Sequence, residues 1–186
     1  PPFADDLALF YDAPSIARVA AVIRRVKPDI ILTHPPQDYM EDHMNACRLT
    51  VTAAFTREMP NFSTVPPEPH WVGETVIYHA MPVGLTDGLR QPVQSELYVD
   101  IGSVLDRKRA MLAKHTSQKE WLDSSQGMDS YLNTMEDVCR RMGQLSGRFE
   151  VAEGWRRHLH FGYASEASDP ISAALRDRVV RNPTYG

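Results

Sequence analysis

Between residues 14 and 43 the hydrophobic pattern switches from helical to extended and back, and that alternation limits the folds open to the chain. Ile16, Val19, Ala20, Ile23 and Val26 share one helical face, with Asp12 placed as a cap and Pro14 in the first turn, where a missing N–H costs least. Pro28 stops that helix. Asp29-Ile30-Ile31-Leu32-Thr33 follows as a short β-rich run of the kind buried on both faces of a parallel sheet. His34 to Met40, with two prolines, leaves the carboxyl end of this strand as a loop, where ligands sit in open α/β sheets. A second helix is expected from Asp42, placed to cap it, to about Glu58, carrying Ala46, Leu49, Thr50, Ala53 and Ala54 toward a sheet. Helix, Pro-Asp and buried strand are half of a β-α-β unit, so the expected class is α/β.

The remaining pattern continues the theme. Residues 59 to 74 are proline-rich and turn-like. Thr75 to His79 and Leu97 to Ile101 read as strands around a Gly/Pro-containing excursion suited to a site loop. Helices are expected over Ser103–His115 and Met128–Met142, a short strand within Phe149–Phe161, and a last helix over Ile171–Val180 before a loose tail. At 186 residues, with no repeat or interdomain linker, residues 1–186 read as a single α/β domain.

A net charge of −4 with no basic run argues against nucleic acid or an anionic membrane surface as partner. No apolar run approaches the ~20 residues that span a bilayer, and no signal pattern opens the chain. Two cysteines, Cys47 and Cys139, form neither a metal spacing nor a disulfide framework, so a reducing cytoplasm is expected. The chain opens Pro1-Pro2 and meets its first strong strand only at residue 29, which leads us to expect a further upstream part.

The candidate chemistry concentrates in Asp38-Tyr39-Met40-Glu41-Asp42-His43. An imidazole at a helix start is disfavoured as imidazolium by the positive end of the helix dipole, and the neutral form is the one that binds metal. Asp42 or Asp38 can accept from its ring and fix it. On residues alone, a surface histidine beside a cap fits the same pattern. Asp100 reads equally as an orienting group or a turn former. His115 shares the Met111 and Leu112 stripe, as a structural histidine or a substrate contact, and Lys108 either snorkels or pairs with Asp100. Glu153, Arg156 and Arg157 read as a solvated edge or as a grip on a polar substrate. His70, His158 and His160 have no metal spacing.

Three segments resemble the LmbE-like (PIG-L) zinc-dependent N-deacetylases: Asp38 to His43; Val99-Asp100-Ile101 with Lys108 and His115-Thr116-Ser117-Gln118; and Ala152-Glu153-Gly154-Trp155. Their order and separation also match. The resemblance implies a Rossmann-like, mostly parallel sheet flanked by helices, with N-terminal strands absent from this sequence. It implies zinc, or another divalent metal, bound by the residue at the position of His43. It also implies removal of an N-acetyl group from an amino sugar or glycoconjugate. Within this chain, Asp42 and Asp38 are expected to support catalysis, and Tyr39, His34 and His115 to meet substrate. In that family the other ligands and the general base come from a His-Pro-Asp-Asp-x-Glu motif. His34-Pro35-Pro36 begins like it but lacks the acid pair. Many members carry a histidine three positions before the ligand, where this chain has Met40, so His34, His79 or Tyr39 would have to substitute, or the step runs without such a group.

The expected partner is therefore a small N-acetylated sugar. The rival readings are a non-catalytic sugar- or nucleotide-binding domain with a degenerate metal site, and a homo-oligomer-forming module that covers the edge of a partial sheet.

Overall fold

The computed structural model describes residues 3–116, 124 and 130–185. Its elements are α1 (Ala13–Val26), β1 (Ile30–Thr33), α2 (Glu41–Phe55), β2 (Val76–Ala80), β3 (Leu97–Asp100), α3 (Leu105–Leu112), α4 (Ser130–Ser146), β4 (Ala152–Arg157), α5 (Pro170–Leu175) and β5 (Val179–Arg181). The strands form a five-stranded sheet in the order β1-β2-β4-β3-β5. Contacts divide the chain into two compact units, residues 1–94 with 155–174 and residues 95–154 with 175–186, the division falling within β4.

The sheet corrects the expectation of a mostly parallel one. β1 and β2 pair in parallel, as the crossover through α2 requires, whereas β2 with β4 and β3 with β5 pair antiparallel. Nor is β1 buried on both faces. It lies at the edge of the sheet, and Leu32 is 55 % exposed. The expected C-terminal helix also ends early: α5 stops at Leu175, and the chain then turns through Arg176, with φ 50°, into β5. The tail is held at its start, where the Asn182 N–H donates to Glu96 O and Nδ2 to Ser95 O. The part of the expected helix at Met128 and Asp129 lies outside the described residues. No helix among the described residues is long and apolar enough to cross a membrane.

In the first unit, α1 begins where its sequence says it should, with Asp12 Oδ1 accepting from the Ser15 N–H at 2.8 Å. Ala20, Ile23, Ala53, Ala54, Ile77 and Tyr163 form its buried core, with Ile31 and Phe62 packed against it. Ala20, Ala53 and Ala54 are fully buried, and with no bulk beyond Cβ they let the helices approach closely. α2 departs from the capping rule. Its N-cap is Met40, whose side chain has no cap hydrogen bond; the helix starts at Glu41, so Asp42 falls in the first turn and its carboxylate accepts from the Leu7 N–H at 2.7 Å.

Beyond α2, the buried Arg57 engages all its donors. Nε donates to Gly73 O, Nη1 to Ala54 O and Gly162 O, and Nη2 to Tyr163 O and the Glu58 carboxylate. Gly162 is needed where it lies: its φ is +81° and a Cβ there would strike the Phe55 ring. In the second unit, Ile101, Cys139 and Val151 form a smaller core with Leu105 and Met135.

Replacing Arg57 by Met strips partners from four buried or half-buried carbonyls. We expect a loss of about 3 kcal/mol or more, read as a lower urea midpoint at unchanged m-value, with Arg57→Lys recovering only part because an ammonium has three donors.

Candidate active site

The loop after β1 folds back onto the start of α2. Asp38 is 7 % exposed, and its Oδ1 lies 3.1 Å from Nδ1 of His43, with a longer 3.3 Å contact from the Met40 N–H. A carboxylate can only accept here, so Nδ1 carries the proton and a neutral His43 presents its lone pair at Nε2. The ring is held from two further sides. His34 stacks on it at 4.3 Å and 8° between planes, and Tyr39 meets it edge-on at 5.7 Å. The imidazole is thus oriented by a buried acid and two neighbouring rings.

A second group of imidazoles continues from this point. His79, near the end of β2 and 5 % exposed, donates from Nδ1 to His34 O at 3.0 Å and faces His158 Nδ1 from Nε2 at 2.9 Å. With Nδ1 donating, Nε2 accepts, so His158 Nδ1 carries the proton between them. Cys47 Sγ lies 3.5 Å from His79 Nδ1, and burial pushes its thiol up to about 11. Burial likewise holds His34, His79 and His158 below the usual imidazole value of 6.5. For His34 the neighbouring His43 adds to that effect, and for His79 the charges of His158 and Arg156 do so.

Of the two acids expected beside His43, Asp38 reaches it, while Asp42 is occupied by the Leu7 amide. His34 and Tyr39 flank the ring. His115 belongs to the second unit and is exposed; its expected place on the α3 stripe fails because α3 ends at Leu112. There Asp100 turns the chain by accepting from the Gly102 N–H at 2.8 Å. Lys108 pairs with Glu153 at 2.7 Å rather than with Asp100. Burial works against the Lys108 charge, yet Glu153 holds its ammonium above the usual value. Two of the three motif segments therefore meet in one ion pair. Ser117 and Gln118 lie outside the described residues.

Sequence reasoning placed Arg156 only within a charged edge beside Glu153 and Arg157, and missed Cys47 and the joining of His79 to His158. The signals were present but local: Cys47 is one helical turn from His43, and alternation along β4 and just past it puts Arg156 and His158 on one face.

Among the described residues no group of three His, Cys, Asp or Glu is placed to hold a metal ion. No family model matches the chain, and no curated protein matches it. Solved structures do. The GalB 4-carboxy-2-hydroxymuconate hydratase of Pseudomonas putida is 24 % identical with a TM-score of 0.57, over 86 % of this chain and 62 % of that one. The conserved protein TT1542 of Thermus thermophilus is 20 % identical with a TM-score of 0.63, over 87 % and 66 %. The N,N'-diacetylchitobiose deacetylase of Pyrococcus horikoshii is 16 % identical with a TM-score of 0.63, over 87 % and 57 %. At these identities the likeness is one of fold, and the chain spans less than two thirds of each.

The depressed imidazoles make stability depend on pH. Because the unfolded chain protonates them first, their contribution is complete above 6.5 and is lost as pH falls through their lower folded values. Urea midpoints should fall from about pH 7.5 to about pH 5, with a shallower fall for His79→Gln.

Proposed function

We propose that this chain belongs to a metal-dependent hydrolase of the LmbE-like kind that removes an N-acetyl group from an amino sugar or glycoconjugate. The observation that carries this reading is the His43–Asp38 pair. A buried carboxylate fixing Nδ1–H of an imidazole, with Nε2 left to donate, is the arrangement that metal-binding histidines use. The fold likeness to a deacetylase and the matching motif segments support the same reading.

The described residues fit one ligand of such a site, His43, and the remaining donors have to come from residues outside them. A bound zinc or similar divalent ion polarises an acyl carbonyl and acidifies water. The chain's own part is positional. Asp38 keeps His43 in the ligating tautomer, His34 and Asp38 resist rotation of its ring, and the exposed Tyr39 offers an aromatic edge to a sugar. The likeness to a hydratase favours a second reading, in which the activated water adds to a carbon–carbon double bond instead of an acyl carbon.

Elemental analysis of the full-length protein should find about one metal per chain. His43→Ala should lose it, and Asp38→Asn should bind it roughly 10- to 100-fold more weakly. Acetate release from an N-acetylglucosamine conjugate should fall in step. A wild-type protein without metal would overturn the enzyme reading and leave a binding domain.

A further inference from the structure

Among the described residues no carboxylate forms an ion pair with Arg156. It lies in β4 opposite His79 in the antiparallel register, so both side chains rise from the same face of the sheet. That face carries Cys47, one helical turn beyond His43 on α2. Trp155 and Arg157 alternate to the other face, where Arg157 donates to Ser168 O. Arg156 Nε is enclosed with no hydrogen-bond partner. The terminal nitrogens, which are not enclosed in the same way, also have none among the described residues, and the side chain is partly exposed.

The contrast with the buried arginines is informative. Arg57 satisfies all of its donors. Arg24, whose Nε is also enclosed without a partner, still places its terminal nitrogens on Thr56 O, Met59 O, Phe62 O and Glu68 O. An enclosed N–H without an acceptor forfeits the hydrogen bond that water would have given it. A guanidinium with neither Nε nor its terminal nitrogens engaged, set within a site, calls for an acceptor from outside. Its neighbours do not supply one. The Cys47 thiol stays protonated, and His79 is neutral with both nitrogens engaged.

We infer that Arg156 is an anion-recognising residue of the His43 site, and that the molecule bound there carries a carboxylate or phosphate group. A guanidinium presents parallel N–H donors that match the two oxygens of such a group. The inference rests on this face being the ligand site proposed above, but not on the metal. It narrows the substrate class to an anionic conjugate. The acyl chemistry at His43 is then registered against a charged group held over β4.

The test uses the full-length protein and small probes: succinate, inorganic phosphate and the neutral succinamide. By calorimetry, at least one anion should bind and succinamide should not. Arg156→Gln should weaken that binding by about tenfold or more, with Arg156→Lys recovering part and Arg140→Gln, on α4, without effect. The Arg156 Nε–H resonance of the wild type should shift on adding the same anion, a readout independent of how any variant folds. An anion that binds Arg156→Gln as tightly as wild type, or no anion binding to wild type, would overturn the inference. Metal content measured on the same samples separates the two readings. Loss of anion binding with metal retained belongs to Arg156 alone, and anion binding in a metal-free protein sinks only the metal reading.

Discussion

Arg57 is the interaction on which the first unit closes. One guanidinium, 3 % exposed, joins the end of α2, the chain before β2 and the turn after β4, two of its acceptors lying 105 and 106 residues away. A fully satisfied set of charge-assisted bonds in a low-dielectric interior is directional in a way that apolar packing is not. Apolar contacts such as those of Ala54 and Ile77 carry no such direction. Five donors on fixed oxygens do, and they tie the end of α2 to the chain before β2 and to the turn after β4.

The candidate site inherits that placement. With α2 held, His43 comes to rest over the loop that carries Asp38 and His34, and Cys47 one turn later reaches His79. The contacts at His43 are orienting ones: a carboxylate on one nitrogen, a parallel ring and an edge-on ring. Preorganisation of this kind lowers what must be ordered when a ligand arrives. The imidazoles around it are kept neutral by burial, which suits lone-pair donation and disfavours a cluster of like charges.

The motif segments divide between two tasks. The segment through His43 builds the candidate site. The segments around Lys108 and Glu153 meet each other beside Cys139 in the second unit, in a partly buried ion pair whose partners are 45 residues apart. Asp100 serves the turn into the short helical stretch before α3.

What the sequence by itself determined is local. Asp12 and Pro14 start α1, Pro28 ends it near Lys27, the loop from His34 follows β1, and Ala53 and Ala54 of α2 face the core. These features depend on contacts within a turn or two, so spacing alone reveals them. Tertiary structure decided the rest. Asp42 read as a cap, but α2 starts one residue before it, and its carboxylate accepts from an amide 35 residues earlier. β1 read as a buried strand and became an edge, and strands expected in parallel ran antiparallel, because order and direction in a sheet are set by how distant segments return. His79 and His158, 79 residues apart, carry no spacing that links them. Hydrogen-bond and charge partners are chosen by chain closure, and hydrophobic periodicity holds no record of that choice.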